Sequence, residues 1–180
     1  MSHGQRSDAL PSEIYSLRSD GDFALRIWAQ SYRGDMAIKL ENVGIAVRDI
    51  EAAIAFFTDL GLSVVGRDEV SGEWASIAVG LDGNHAKVAM LQTPGGQGQL
   101  ELFEYIHPAA IETTPTLPNE IGMHRVAFSV DDIDAALEIA AKHGCHPLRG
   151  VANYENIYKL SYLRGPSDII VMLAQDLTKV

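Results

Sequence analysis

Of the 180 residues only one, Cys145, is a cysteine, so no disulfide can form within the chain. That fits a reducing compartment, and Cys145, placed just after Gly144, is expected to pack as a small apolar side chain. No apolar run approaches the roughly 18 residues needed to span a bilayer. The N-terminus shows no basic patch followed by an apolar stretch, so no signal peptide is expected and the chain reads as cytoplasmic. Basic residues are scarce: 14 Lys and Arg stand against 24 Asp and Glu, a net charge of −10. Like charges repel, which argues against nucleic acid and anionic membrane as partners. Neither a glycine-rich phosphate loop opening a helix nor a GxSxG or reactive Cys–His pattern occurs. PGGQG at 94–98 sits between two strand patterns.

What the chain does have is an internal repeat. Residues 43–61, VGIAVRDIEAAIAFFTDLG, align without gaps on 126–144, VAFSVDDIDAALEIAAKHG, at an offset of 83 with seven of nineteen positions identical. Asp49 and Asp132 stand where a helix N-cap is needed, and Gly61 and Gly144 where a helix ends. The surrounding periodicity predicts a β-α-β-β-β order twice. In the first copy strands are expected at 38–47, 62–70, 86–93 and 99–106, with a helix at 50–60. The stretch 72–84 is ambiguous, a short helix being one reading. In the second copy strands are expected at 123–130 and near 146–152, 157–164 and 169–175, with a helix at 133–143. The Pro-containing stretch 107–121 reads as the linker. The fold class is therefore α+β, with two tandem βαβββ modules, about 36–107 and 122–176, forming one curved cup. Residues 1–35 differ in composition and read as an N-terminal extension to a domain of 36–180. Asp22 there is placed to cap a short helix carrying Phe23, Ile27, Trp28 and Tyr32.

The doubled β-α-β-β-β plan, the VxDI helix entry, Leu100-Glu101-Leu102 and the closing LRGPSDIIVML resemble the vicinal oxygen chelate superfamily, which holds glyoxalase I, methylmalonyl-CoA epimerase, extradiol dioxygenases and the bleomycin and fosfomycin resistance proteins. The resemblance covers roughly 36–176. It implies a divalent metal held by four strand residues, two per module, and a homodimer. Carried onto this chain, those four positions are Asn42, Glu101, Arg125 and Met172. Arginine has no lone pair to offer a cation, so no metal and no cofactor is expected. Arg125 is instead expected to pair with Glu101 as a planar fork on a carboxylate. By strand alternation His124 should face the helices with Val126 and Phe128, and Arg125 the cup with Ala127 and Ser129; a bulge or register shift would return His124 as a ligand. Glu104, Tyr105 and His107 are expected near the cup mouth or linker, in solvent. His85 and His146 are expected at the surface. Tyr154, Tyr158 and Tyr162 are expected to pack on a sheet.

Two functions follow. One is a metal-free small-molecule-binding protein of the bleomycin-resistance type, its ligand held by Asn42, Glu101, Phe103, Arg125, Ile170 and Met172. The other is an epimerase or lyase, like methylmalonyl-CoA epimerase or glyoxalase, with Glu101 as the base. The absence of two histidines with a carboxylate disfavours an iron dioxygenase.

Overall fold

A computed structural model describes residues 40–178. The readings made of residues 1–35 lie outside that range. Each module packs one ten-residue helix on one four-stranded sheet. In the first, β1 (Val43–Ala46), α1 (Ile50–Asp59), β2 (Ser63–Ser71), a short α2 (Glu73–Val79), β3 (His85–Gln92) and β4 (Gln99–His107) follow in order, and the sheet runs β1-β4-β3-β2. In the second, β5 (Val126–Ser129), α3 (Ile133–Lys142), β6 (Ala152–Tyr154), β7 (Tyr158–Arg164), a 3-10 turn (Pro166–Asp168) and β8 (Ile170–Asp176) give β5-β8-β7-β6. β1 runs parallel to β4 and β5 to β8, and the other pairs are antiparallel. The two βαβββ modules are therefore present, as two sheets that are not hydrogen-bonded into one.

The helices form where the repeat places them. The Asp49 carboxylate accepts from the Ala52 N–H at 3.0 Å, and Asp132 accepts from Asp134 and Ala135 at 2.9 and 3.0 Å. Each cap stabilises its helix by about 1 kcal/mol. Gly61 and Gly144 end them at φ 109° and 71°, a region that side chains with a Cβ avoid. Ile50, Ala53, Ile54, Phe56 and Phe57 on α1 are buried, as are Ile133, Ala136 and Ala140 on α3. They join Leu91, Leu100 and Leu102 of the first sheet and Leu163, Val171 and Leu173 of the second in one core shared by both modules. Phe57 meets Phe128 across the modules, ring centroids 6.0 Å apart.

Alternation then fixes the open face of each sheet. Val43, Ile45, Leu100 and Leu102 turn to the core, so Gly44, Ala46, Glu101 and Phe103 turn away from it. In the second module Val171 and Leu173 turn inward and Met172 outward. Three strand readings differ from the structure, the first being β1, which spans Val43–Ala46 rather than 38–47. β5 begins at Val126, not 123, and β6 is a three-residue edge. The ambiguous stretch forms α2, bounded by Gly72 and Gly80.

Candidate functional site

On the first module's open face Asn42 Nδ2 donates to Glu101 Oε2 at 3.1 Å. Glu101 is half-buried, and loss of hydration pushes its carboxyl above the usual range; the Asn42 bond acts the other way without cancelling it. Phe103, two residues along, lies against Gly44, where a Cβ would come 3.6 Å from its ring. Tyr105 continues the row, stacked on Phe103 with centroids 6.2 Å apart.

On the second module's open face Arg125 Nε donates to Met172 Sδ at 2.9 Å, and its guanidinium carbon lies 5.3 Å from the Tyr162 ring centroid. Ile170 is buried on the Met172 side of β8, outside the shared core. The expected Arg125–Glu101 ion pair is not formed: among the described residues Glu101 is bonded to Asn42, and Arg125 to sulfur and an aromatic face. Glu101 takes its bond from Asn42 just before β1, and Arg125 is held by Met172 and Tyr162, neighbours on the second sheet.

His124 also departs from the alternation argument. β5 starts two residues later, so no ladder forces His124 to the core side. Its ring meets the edge of Tyr162 at 5.5 Å, with its Nε2 buried and without a partner. Tyr162, read from sequence as plain sheet packing, is thus the residue that both His124 and Arg125 touch. The ladder pairs Tyr162 with Met172 across a loop of 165–169, whereas counting back from a turn at 165–168 pairs it with Val171.

Glu104 is a further correction. It shares the core side with Leu100 and Leu102, where its carboxylate accepts from the Ile50 N–H at 2.8 Å and from Lys87 Nζ at 2.6 Å. Lys87 and that N–H hold its carboxyl below the usual range. His85 pairs with Glu69 at the surface, as placed, and Tyr154 and Tyr158 are exposed.

A cleft of about 180 Å³ opens where the modules meet, lined by Arg48, Asp49, Ala52, His143, Cys145, Pro166 and Ser167. Its cation is already engaged: Arg48 binds Glu112 at 2.6 Å and Asp168 at 2.9 Å. Among the described residues Arg48 is thus neutralised by carboxylates, unlike Arg125.

Known proteins share this architecture. The chain is 36% identical to a glyoxalase family protein from Bacillus cereus, covering 83% of this chain and 99% of that one with a TM-score of 0.74. Glyoxalase I of Leishmania major, trypanothione-dependent, superposes at TM-score 0.54 with 15% identity, over 79% of this chain and 89% of the other, a likeness of fold alone. A 2-epi-5-epi-valiolone epimerase from an Actinomyces species is 32% identical over 106 residues, which span 57% of this chain and 57% of the epimerase. Residues 41–160 match the family description itself, and the chain belongs to the glyoxalase/bleomycin resistance protein/dioxygenase superfamily.

Proposed function

We propose that this protein binds a small organic molecule bearing an ionised or carbonyl oxygen, without a metal. Asn42, Glu101 and Phe103 serve from the first sheet, and Arg125, Ile170 and Met172 from the second. The observation that carries this is Arg125: a partly buried guanidinium on which no carboxylate of the described residues sits, in a chain of net charge −10. The donor chemistry supports the metal-free part. A guanidinium cannot ligate a cation. Met172 sulfur already accepts from it. Glu101, the Asn42 side-chain carbonyl and the His124 Nε2 remain, and among the described residues no three His, Cys, Asp or Glu side chains stand together as a metal set.

A thermal-shift screen against carboxylate and keto metabolites tests the reading. A ligand should raise the melting temperature of wild-type protein and not that of a folded Arg125→Met variant. A wild-type protein that no such metabolite shifts would sink the reading and leave the open faces as mere packing.

A second reading is favoured by two observations. Burial raises the Glu101 carboxyl toward the range of a working base, and the 32% relative is an epimerase. Here Glu101 removes a proton from the carbon next to a carbonyl, and a proton delivered from water to the opposite face inverts that centre. Incubation with 2-epi-5-epi-valiolone in deuterated water separates the readings. Deuterium at that carbon, lost in Glu101→Gln, establishes catalysis; binding without exchange establishes sequestration.

The proposal includes a homodimer in a reducing, cytoplasmic setting. The exposed apolar side chains Trp74 and Ile77 on α2 and the free, buried Cys145 support it. Among the described residues no helix is long and apolar enough to cross a membrane. Sedimentation of a single monomeric species at micromolar concentration would remove the dimer from the account.

A further inference from the structure

We propose that Arg125, His124 and Tyr162 form an anion subsite that receives an ionised group of the ligand, a carboxylate or a phosphate. This rests on the binding reading above and deepens it, naming the group taken and adding two residues. The arginines of the described residues differ in what they hold. Arg48 meets two carboxylates, and Arg67 Nη1 reaches both oxygens of Glu51 at 2.7 and 2.9 Å. Arg164 gives its Nη atoms to the carbonyls of Asp168 and Thr116. Arg149 is exposed to water. Arg125 is partly buried, and its contacts are a thioether and a ring. Sulfur is a weak acceptor, and neither contact neutralises the charge. Both fix the plane of the guanidinium, and among the described residues no acceptor meets the four Nη hydrogens. A partly desolvated charge without a counter-charge is costly, and no Asp or Glu among the described residues is used to satisfy this one.

His124 supplies an independent observation. Its Nε2 is buried and unpartnered, a state that native proteins leave for a water or a ligand. Its ring packs on the same Tyr162 that lies under Arg125. Tyr162 is therefore a positioning residue for both groups. The guanidinium edge presents two parallel N–H groups, which match a carboxylate or a phosphate, and His124 stands beside it as a further hydrogen-bonding group.

Phenylglyoxal, which modifies accessible guanidinium groups, tests this on the full chain. Labelling is run in amine-free, phosphate-free buffer, alone, with inorganic phosphate and with acetate, and peptides bearing Arg125 and Arg149 are quantified by mass spectrometry. One anion or both should slow labelling of Arg125 at least about fivefold and leave Arg149 unchanged, and the protecting arm identifies the group. Tyr162→Phe keeps the ring and should keep the protection; Tyr162→Leu should lose most of it, and His124→Leu should weaken it. Arg125 labelling that neither anion slows in wild-type protein overturns the subsite, whatever the variants do, and so does equal protection of Arg149. If anions fail to protect but a metabolite still gives a thermal shift lost in Asn42→Ala, the binding reading stands and this subsite falls. If anions protect and no metabolite shifts the protein, the subsite stands and the wider reading falls.

Discussion

Ile50, opening α1, gives its N–H to the Glu104 carboxylate at 2.8 Å; Ile133, opening α3, gives its N–H to the Gln175 amide oxygen at 3.2 Å. Glu51 in the first turn of one helix is held by Arg67, and Asp134 in the first turn of the other by Lys159. Caps, terminating glycines and parallel edge strands recur in the same places. At the positions facing away from the core the modules part. Asn42 and Glu101 in the first become Arg125 and Met172 in the second, an amide and an acid against a cation and a thioether. The difference teaches which residues the scaffold requires. Helix ends and core positions are dictated by backbone hydrogen bonding and burial, so both copies solve them alike. Open-face positions carry little of the folding energy and are free to differ in chemistry.

The sharpest break of this comparison would come from the core. Leu102 and Leu173 are both fully buried and face the shared core from equivalent strands. Leu102→Ala and Leu173→Ala should each lower unfolding free energy by about 2–5 kcal/mol. In urea each should unfold in one cooperative transition. Two separated transitions would show the modules to be energetically independent.

A smaller effect sharpens the helix-start comparison. Glu104→Gln should cost about 1 kcal/mol at neutral pH, since it removes a carboxylate from a helix N-terminus and from Lys87. Gln175→Glu should cost less than that or be neutral. The sign with pH is fixed by the lowered Glu104 carboxyl. Its contribution is present above the ordinary value of 4.5 and is lost as pH falls through the lower, folded value. Acid titration of melting temperature should therefore bring wild type and Glu104→Gln together below that range.

Glu101 has the opposite sign and the smallest effect. Burial raises its carboxyl, so the fold favours the protonated form. That advantage is present below the unfolded value and is lost as pH rises through the raised, folded one. Glu101→Gln should therefore melt slightly above wild type at pH 8, the gap closing toward pH 4. A variant melting below wild type at pH 8 would mean that the ionised carboxylate holds the fold.

The modules were legible because their signals are local and occur twice: Asp49 and Asp132, Gly61 and Gly144, and the apolar spacing between them. The site was legible only in part. The family resemblance points to Asn42, Glu101 and Met172, and the repeat offset to Arg125, but neither gives their partners. Arg125 was matched to Glu101 by charge, whereas sheet membership gives it Met172 and Tyr162. Alternation was applied to His124 two residues before the strand begins, where no ladder enforces it. Glu104 was read as solvated because nothing local shows that the N–H of Ile50, 54 residues away, comes to meet it.

The proposed function turns on Arg125, which the family resemblance puts at a metal-ligand position, where it would keep a cation out by supplying one. Elemental analysis tests this directly, on protein equilibrated with Zn, Ni, Co, Mn and Fe and then desalted. Wild-type protein should retain far less than one metal per chain, and the double variant Arg125→His with Met172→Glu should gain metal. One metal per wild-type chain, lost on Glu101→Ala, would contradict the account.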